Sequence, residues 1–201
     1  MLEKTQVRIV AGSLRGRKLT CVVHEGMRPT PQMVREALFS ILGNAVPGRV
    51  FYDIFAGTGV VGLEAVSRGA TAARLIEKDP RLGAEIQKYA QQFGVADKAQ
   101  VLRADVYRWA ERWVPPGAGP VNLFLSPPFP DLTQRADEFL GLVSTLLEKA
   151  PDESVLTIQA EDGFPVEQLP DLPRWDVRRY GRNMLLFYVV SRTPVSSPVE
   201  Q

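Results

Sequence analysis

One stretch, residues 50–62, limits the possible folds of this chain more than any other. The run Val50-Phe51-Tyr52-Asp53-Ile54-Phe55 passes directly into Ala56-Gly57-Thr58-Gly59-Val60-Val61-Gly62. Six residues rich in β-branched and aromatic side chains read as a buried strand. A G-x-G-x-x-G at its end reads as a strand-to-helix turn whose small residues let a ligand approach the backbone. Such a turn belongs to open α/β sheets, which bind ligands beyond the carboxyl ends of their strands.

The rest of the chain repeats the alternation that this turn begins. Helices are expected over 60–67, 80–93, 106–112 and 133–147, and strands over 73–77, 100–103, 121–125 and 154–159. An earlier helix is expected from Pro31, with Thr30 as its N-cap, to a stop at Gly43. This spacing predicts βαβ units and a parallel sheet covered on both faces. The last two strands, 174–180 and 184–190, are separated only by Gly181-Arg182-Asn183 and must pair antiparallel. An α/β chain with a mostly parallel seven-stranded sheet and an antiparallel C-terminal hairpin resembles the Rossmann-like methyltransferase fold. Dinucleotide-binding dehydrogenases are less like it.

Asp53 discriminates between ligands for the glycine turn. Beside a pyrophosphate this carboxylate would be repelled by about 1 kcal/mol or more. S-adenosylmethionine carries a sulfonium and an ammonium against one carboxylate and is drawn to an anion instead. Glu77 ends the next strand, at a spacing that suits ribose hydroxyls, and Asp105 follows the third strand within reach of an adenine amino group. The expected cofactor site is Asp53, Phe55, Ala56, Gly57, Thr58, Gly59, Glu77, Lys78, Asp105 and Val106. The competing structural reading makes Asp53 a helix cap and Glu77 a solvated side chain.

The net charge of +1 hides an uneven distribution. Residues 1–49 hold eight Lys/Arg against three Asp/Glu, and the remainder holds sixteen against twenty. A basic N-terminal segment on an acidic body points to a polyanionic partner, although a solvated basic surface gives the same composition. Within it, strands over 7–11 and 18–23 flank Gly12-Ser13-Leu14-Arg15-Gly16-Arg17, which predicts a β-hairpin arm. Arg8, Arg15, Arg17, Lys18, Arg28 and Arg35 are the candidate RNA contacts, since guanidinium forks suit phosphates and stack on bases. The expected division is a basic arm over 1–30, a catalytic domain over 31–190 and a disordered tail over 191–201. A single cysteine, Cys21, no apolar run of membrane-spanning length and a charged N-terminus predict a cytoplasmic protein without disulfide or membrane segment. No metal is expected, and His24, the one histidine, is read as incidental.

After strand 121–125 comes Ser126-Pro127-Pro128-Phe129, a loop whose shape two prolines restrict. It resembles the Asp/Asn-Pro-Pro-Tyr/Phe motif of methyltransferases that act on exocyclic amines of nucleobases. Further segments narrow the resemblance: Arg8-Ile9-Val10-Ala11-Gly12-Ser13-Leu14-Arg15-Gly16-Arg17-Lys18-Leu19, Arg28-Pro29-Thr30, Val34-Arg35-Glu36-Ala37-Leu38-Phe39, Gly62-Leu63-Glu64-Ala65 and Ser67-Arg68-Gly69-Ala70. Together they are similar to the bacterial small-subunit ribosomal RNA guanine-N2 methyltransferase family, over nearly the whole chain.

The resemblance implies methyl transfer from S-adenosylmethionine to a guanine N2 in small-subunit ribosomal RNA or the assembling small subunit, by a monomer. It also implies that Ser126 and the Pro127 carbonyl accept hydrogen bonds from the target amine, with Pro128 shaping the loop and Phe129 stacking on a flipped base. Two positions depart from the family: Ser126 replaces an acidic residue, and Pro31-Gln32 stands where Thr-Asp is commoner. A hydroxyl in place of a carboxylate removes about 1.5–3 kcal/mol of charge-assisted hydrogen bonding. The alternative is therefore an RNA-binding or assembly protein of the same fold with weak or no catalysis. An NAD- or FAD-dependent oxidoreductase would share the glycines and leave Asp53 and the Pro-Pro loop unexplained. Transfer to a small molecule or protein would leave the basic arm unexplained.

Overall fold

The computed structural model describes residues 3–23 and 29–192. Arg28, His24 and residues 193–201 of the expected tail lie outside them. The chain opens with two antiparallel strands, β1 (Glu3–Arg8) and β2 (Lys18–Val23), which form a sheet of their own. After α1 (Gln32–Leu42) come β3 (Val50–Ile54), α2 (Val60–Ser67), β4 (Ala72–Glu77), α3 (Pro80–Gln92), β5 (Ala99–Arg103) and α4 (Val106–Arg112). The second half runs β6 (Val121–Leu125), α5 (Phe129–Thr133), α6 (Ala136–Lys149), β7 (Val155–Glu161), β8 (Asp176–Tyr180) and β9 (Asn183–Val189).

The main sheet has seven strands in the order β5-β4-β3-β6-β7-β9-β8, with β9 antiparallel to both neighbours and the other pairings parallel. Strand order reverses between β3 and β6, so a crevice opens at their carboxyl ends, where Phe55 and Ser126 emerge. Successive residues of the strands feed opposite cores. Phe51, Leu75, Phe124 and Leu185 join α1, α2 and α3 on one face. Tyr52, Ile76, Leu125 and Leu186 join α4 and α6 on the other.

Three local expectations are corrected. The first hairpin strand is β1, not 7–11, because residues 9–17 fold back onto the end of α2. There Ser13 N donates to Ser67 O at 2.8 Å, Leu14 N donates to Ser67 Oγ at 2.9 Å, and Ile9 and Leu14 are buried. Gly12 makes this approach possible: its φ is +84°, and a Cβ there would lie 1.8 Å from Ser67 O. Thr30 does not cap α1, since its Oγ1 donates instead to Gln159 Oε1 at 2.8 Å. The helix expected over 133–147 begins three residues later than expected, and a short helix not expected from the sequence precedes it. Phe129–Thr133 forms the separate short helix α5, which is drawn toward α4 by Asp131, and the sheet-covering α6 starts only at Ala136.

Candidate cofactor and target site

Asp53 sits near the carboxyl end of β3, buried beneath the glycine turn, and its Oδ2 accepts from Gly62 N at 2.8 Å. In a dinucleotide fold the first-turn N–H groups of this helix face a pyrophosphate. Here one of them is turned inward onto a carboxylate. A Cβ on Gly62 would lie 3.2 Å from Asp53 Oδ2 and 2.7 Å from Leu75 Cδ2, so glycine is what lets helix, strand and carboxylate meet. Burial raises the Asp53 pKa to about 7, against the stabilising Gly62 N–H and with a further push from the charge of Glu77.

Phe55 begins the turn with φ +68°, an uncommon conformation for a residue with a side chain, and Gly57 and Gly59 follow at +52° and +71°. Ala56 N donates to Ile76 O at 3.0 Å, which pins the turn to β4. Thr58 is buried. The Glu77 carboxylate bridges two loops, Oε2 accepting from Gly57 N and Oε1 from Asp79 N, both at 2.8 Å. Asp105 caps α4, its Oδ1 accepting from Tyr107 N at 3.1 Å and Arg108 N at 3.2 Å. Beside it opens a groove of about 490 Å3 lined by Ala104, Arg108, Trp109, Arg112, Trp113 and Val114. Val106 is buried, and Lys78 is exposed.

The structure thus brings Asp53, Glu77 and Asp105 to the carboxyl ends of β3, β4 and β5. All three are fixed by backbone N–H groups, as structural carboxylates would be, and each oxygen keeps a further lone pair. Glu77 and Asp105 place carboxylates at the edge of the turn, and the buried Asp53 adds an acidic group beneath it. That donor set fits a ligand with cationic and hydroxyl groups and opposes a phosphate.

Across the switch point, Ser126 N donates to Ile54 O at 3.3 Å, so the Pro-Pro loop leaves β6 directly beside the glycine turn. Ser126 and Pro127 are half-buried; Pro128 is exposed and precedes the first residue of α5. Phe129 is not packed in a core: it is 56% exposed, among the most exposed large apolar side chains described. Two residues on, Asp131 is buried and accepts from Tyr107 Oη at 2.6 Å. The Arg135 guanidinium lies over the Tyr107 ring at 4.3 Å, and Phe55 meets that ring edge-on at 6.1 Å. Burial and the Asp131 carboxylate both raise the Tyr107 pKa, so this hydroxyl remains a donor.

The basic candidates divide. Arg8, Arg15, Arg17 and Lys18 are exposed along the hairpin side, and Arg8 and Lys18 line a groove of about 440 Å3 between the hairpin and the start of α1. Arg35 is corrected: it is 1% exposed and cannot meet RNA. Its Nε pairs with Glu64 at 3.2 Å, Nη1 donates to Thr30 O at 2.6 Å and Nη2 donates to Arg8 O at 2.9 Å. It is a buried tie between α1, α2 and the arm, and its partner Glu64 also binds Arg68.

Sequence reasoning missed Tyr107, Asp131, Gln159 and Asn183. Gln159 accepts from Thr30 Oγ1 at 2.8 Å and from Ser126 Oγ at 3.3 Å, and its Nε2 donates to Asn183 Oδ1 at 3.2 Å. Only its signal was available beforehand, a polar residue near the carboxyl end of a strand in an α/β sheet.

Comparison with known proteins gives the same fold and chemistry. The family described as "Conserved hypothetical protein 95" matches residues 7–189. "Ribosomal RNA small subunit methyltransferase D" of Escherichia coli strain K12 is 37% identical over 180 residues, which cover 87% of this chain and 83% of that one. A solved Escherichia coli structure described as a methyltransferase has a TM-score of 0.72 at 30% identity and covers 94% of this chain and 100% of its own. The fold alone is shared with an RNA methyltransferase from Salinibacter ruber in complex with S-adenosyl-L-homocysteine, at TM-score 0.58, 19% identity, and 87% and 100% coverage.

Proposed function

The chain belongs to the family of small-subunit ribosomal RNA methyltransferases, S-adenosylmethionine-dependent enzymes with a Rossmann-like fold, and on that premise we propose that it methylates the exocyclic N2 of a guanine in small-subunit ribosomal RNA. The observation that carries this reading is the pairing of the electronegative glycine turn with the Ser126-Pro127-Pro128-Phe129 loop on adjacent strands at the switch point. S-adenosylmethionine, when bound, supplies a sulfonium methyl. Asp53 would attract the cofactor's cationic groups from beneath the turn, Glu77 would accept from ribose hydroxyls and Asp105 from the adenine amine, with Phe55, Ala56, Gly57, Thr58, Gly59, Lys78 and Val106 framing them.

On the target side, Ser126 Oγ and the Pro127 carbonyl accept from the two N–H groups of the guanine amine, which turns its nitrogen lone pair toward the methyl. Pro128 fixes the loop, and exposed Phe129 offers its ring to a base taken out of the stack. Transfer would form the N2–C bond as the S–C bond of the sulfonium breaks, leaving S-adenosylhomocysteine, and the amine proton would then pass to water, so no histidine is needed. Arg8, Arg15, Arg17 and Lys18 hold the phosphates; Arg28 is assigned to the same role from sequence. The arm over 1–30 and the catalytic domain over 31–190 thus divide RNA holding from chemistry, in a cytoplasmic monomer acting on the assembling small subunit.

The test is transfer of labelled methyl from S-adenosylmethionine to undermodified small ribosomal subunits, followed by digestion to nucleosides. N2-methylguanosine is the expected product. Label on another nucleoside or on protein contradicts the reading, and cofactor binding without transfer favours the RNA-binding alternative.

A further inference from the structure

We infer that Gln159 is a positioning residue for methyl transfer: it engages the hydroxyl proton of Ser126 and leaves that hydroxyl's lone pairs for the target amine. This inference rests on the guanine-N2 reading above. A carboxylate at the head of the Pro-Pro loop would present acceptors only. A serine hydroxyl has one proton and two lone pairs, and its rotor can offer either to a ligand. A free serine would therefore be an indifferent substitute.

The surroundings of Ser126 remove that indifference. Gln159 is on β7, next to the strand that carries Ser126, and its Oε1 receives the Ser126 hydroxyl at 3.3 Å. The same oxygen receives Thr30 Oγ1 at 2.8 Å, while Nε2 donates to Asn183 Oδ1 at 3.2 Å. A carbonyl oxygen accepts two hydrogen bonds, so both hydroxyls are accommodated, and the Asn183 oxygen on the nitrogen side sets which end of the amide faces Ser126. With its proton committed inward, Ser126 becomes an acceptor toward the crevice, the role a carboxylate would fill without help. The 3.3 Å contact is long for an O–H···O bond.

The arm reaches the same point. Arg35 holds the carbonyls of Arg8 and Thr30, and the Thr30 side chain holds Gln159. Gln159 is therefore where the arm-side connection, the β8–β9 turn and the Pro-Pro loop meet.

The test compares wild type, Q159L, S126D and the double variant S126D/Q159L on undermodified small subunits, with cofactor affinity measured in parallel by calorimetry. Q159L lowers kcat about tenfold and leaves KM and cofactor affinity within about twofold, the scale of one misdirected hydrogen bond. In the S126D background the same change costs under about threefold, because a carboxylate has no proton to direct. Q159E, which keeps an acceptor oxygen toward Ser126 while losing the donor to Asn183 Oδ1, restores most of the Q159L loss. Equal losses in both backgrounds would overturn the inference and leave Gln159 a support for β7; so would a rise in KM at constant kcat. If wild type binds cofactor and labels no guanine, the guanine reading itself falls.

Discussion

The two sides of the switch point are built from different materials. On the β3-β4-β5 side, three carboxylates are held by backbone N–H groups, over sequence separations of 9 for Asp53 with Gly62, 20 for Glu77 with Gly57 and 2 for Asp105 with Tyr107. On the β6-β7 side, Ser126, Gln159 and Thr30 are neutral and hold one another by side chains, over separations of 33 for Ser126 with Gln159 and 129 for Thr30 with Gln159. Backbone-anchored carboxylates fix charge at a ligand's edge with little freedom. Side-chain networks set hydrogen-bond direction and yield to substitution at a single member. The carboxylate side is therefore the half where charge is fixed by the backbone, and the Pro-Pro side is the half where a neutral hydroxyl, Ser126, is oriented by its neighbours.

The largest effect that would sharpen this contrast is on stability. Asp53 has a folded pKa raised to about 7 from an ordinary 3.8. Its neutral form suits the fold, so its favourable contribution is complete below about pH 4 and is lost as pH rises through 7. D53N removes that loss and should stabilise the protein by roughly 4 kcal/mol at pH 8, with the gain fading toward pH 4. Thermal melts at the two pH values measure it; an equal gain at both would show that the charge is not the cause. No neutral residue of the target side should behave this way.

Next comes F129A, which should lower methyl transfer by about ten- to a hundredfold through lost base stacking, with the melting temperature unchanged because the ring lies outside the core. Unchanged kcat/KM would remove Phe129 from the target side. For the arm, deleting residues 1–20 would take Ile9, Leu14 and Leu19 from the core, so charge substitution is the sounder test. R15A/R17A/K18A should weaken RNA binding about tenfold at moderate salt and flatten its logarithmic salt slope by about two. An unaltered slope would mean that these residues do not touch phosphates. Smallest is Y107F, which frees Asp131 from its 2.6 Å hydrogen bond and should reduce transfer about threefold by loosening α5. A larger fall in cofactor affinity than in transfer would assign Tyr107 to the other side.

The contrast also explains what was legible in the sequence. The alternating elements, the antiparallel pairing of the last two strands and the glycine turn rest on short-range pattern, and α2 and α4 begin and end at the expected residues. Thr30, read as a cap, was instead claimed by a glutamine far along the chain. Arg35, read as an RNA contact from its basic neighbourhood, was claimed by Glu64, and charge alone does not distinguish a buried pair from a surface patch. The break between α5 and α6 follows from Asp131 reaching Tyr107, a contact with no local signature. Local rules placed the glycine turn and its carboxylates at the strand ends, while tertiary hydrogen bonds decided the surroundings of the Pro-Pro loop.

The most direct test of the division is calorimetric titration of S-adenosylmethionine into wild type, D53N and F129A at pH 8. The account predicts that D53N weakens binding at least about tenfold, the scale of a lost charge interaction, and that F129A matches wild type. Equal affinities for D53N and wild type, or loss in F129A comparable to that in D53N, would contradict it.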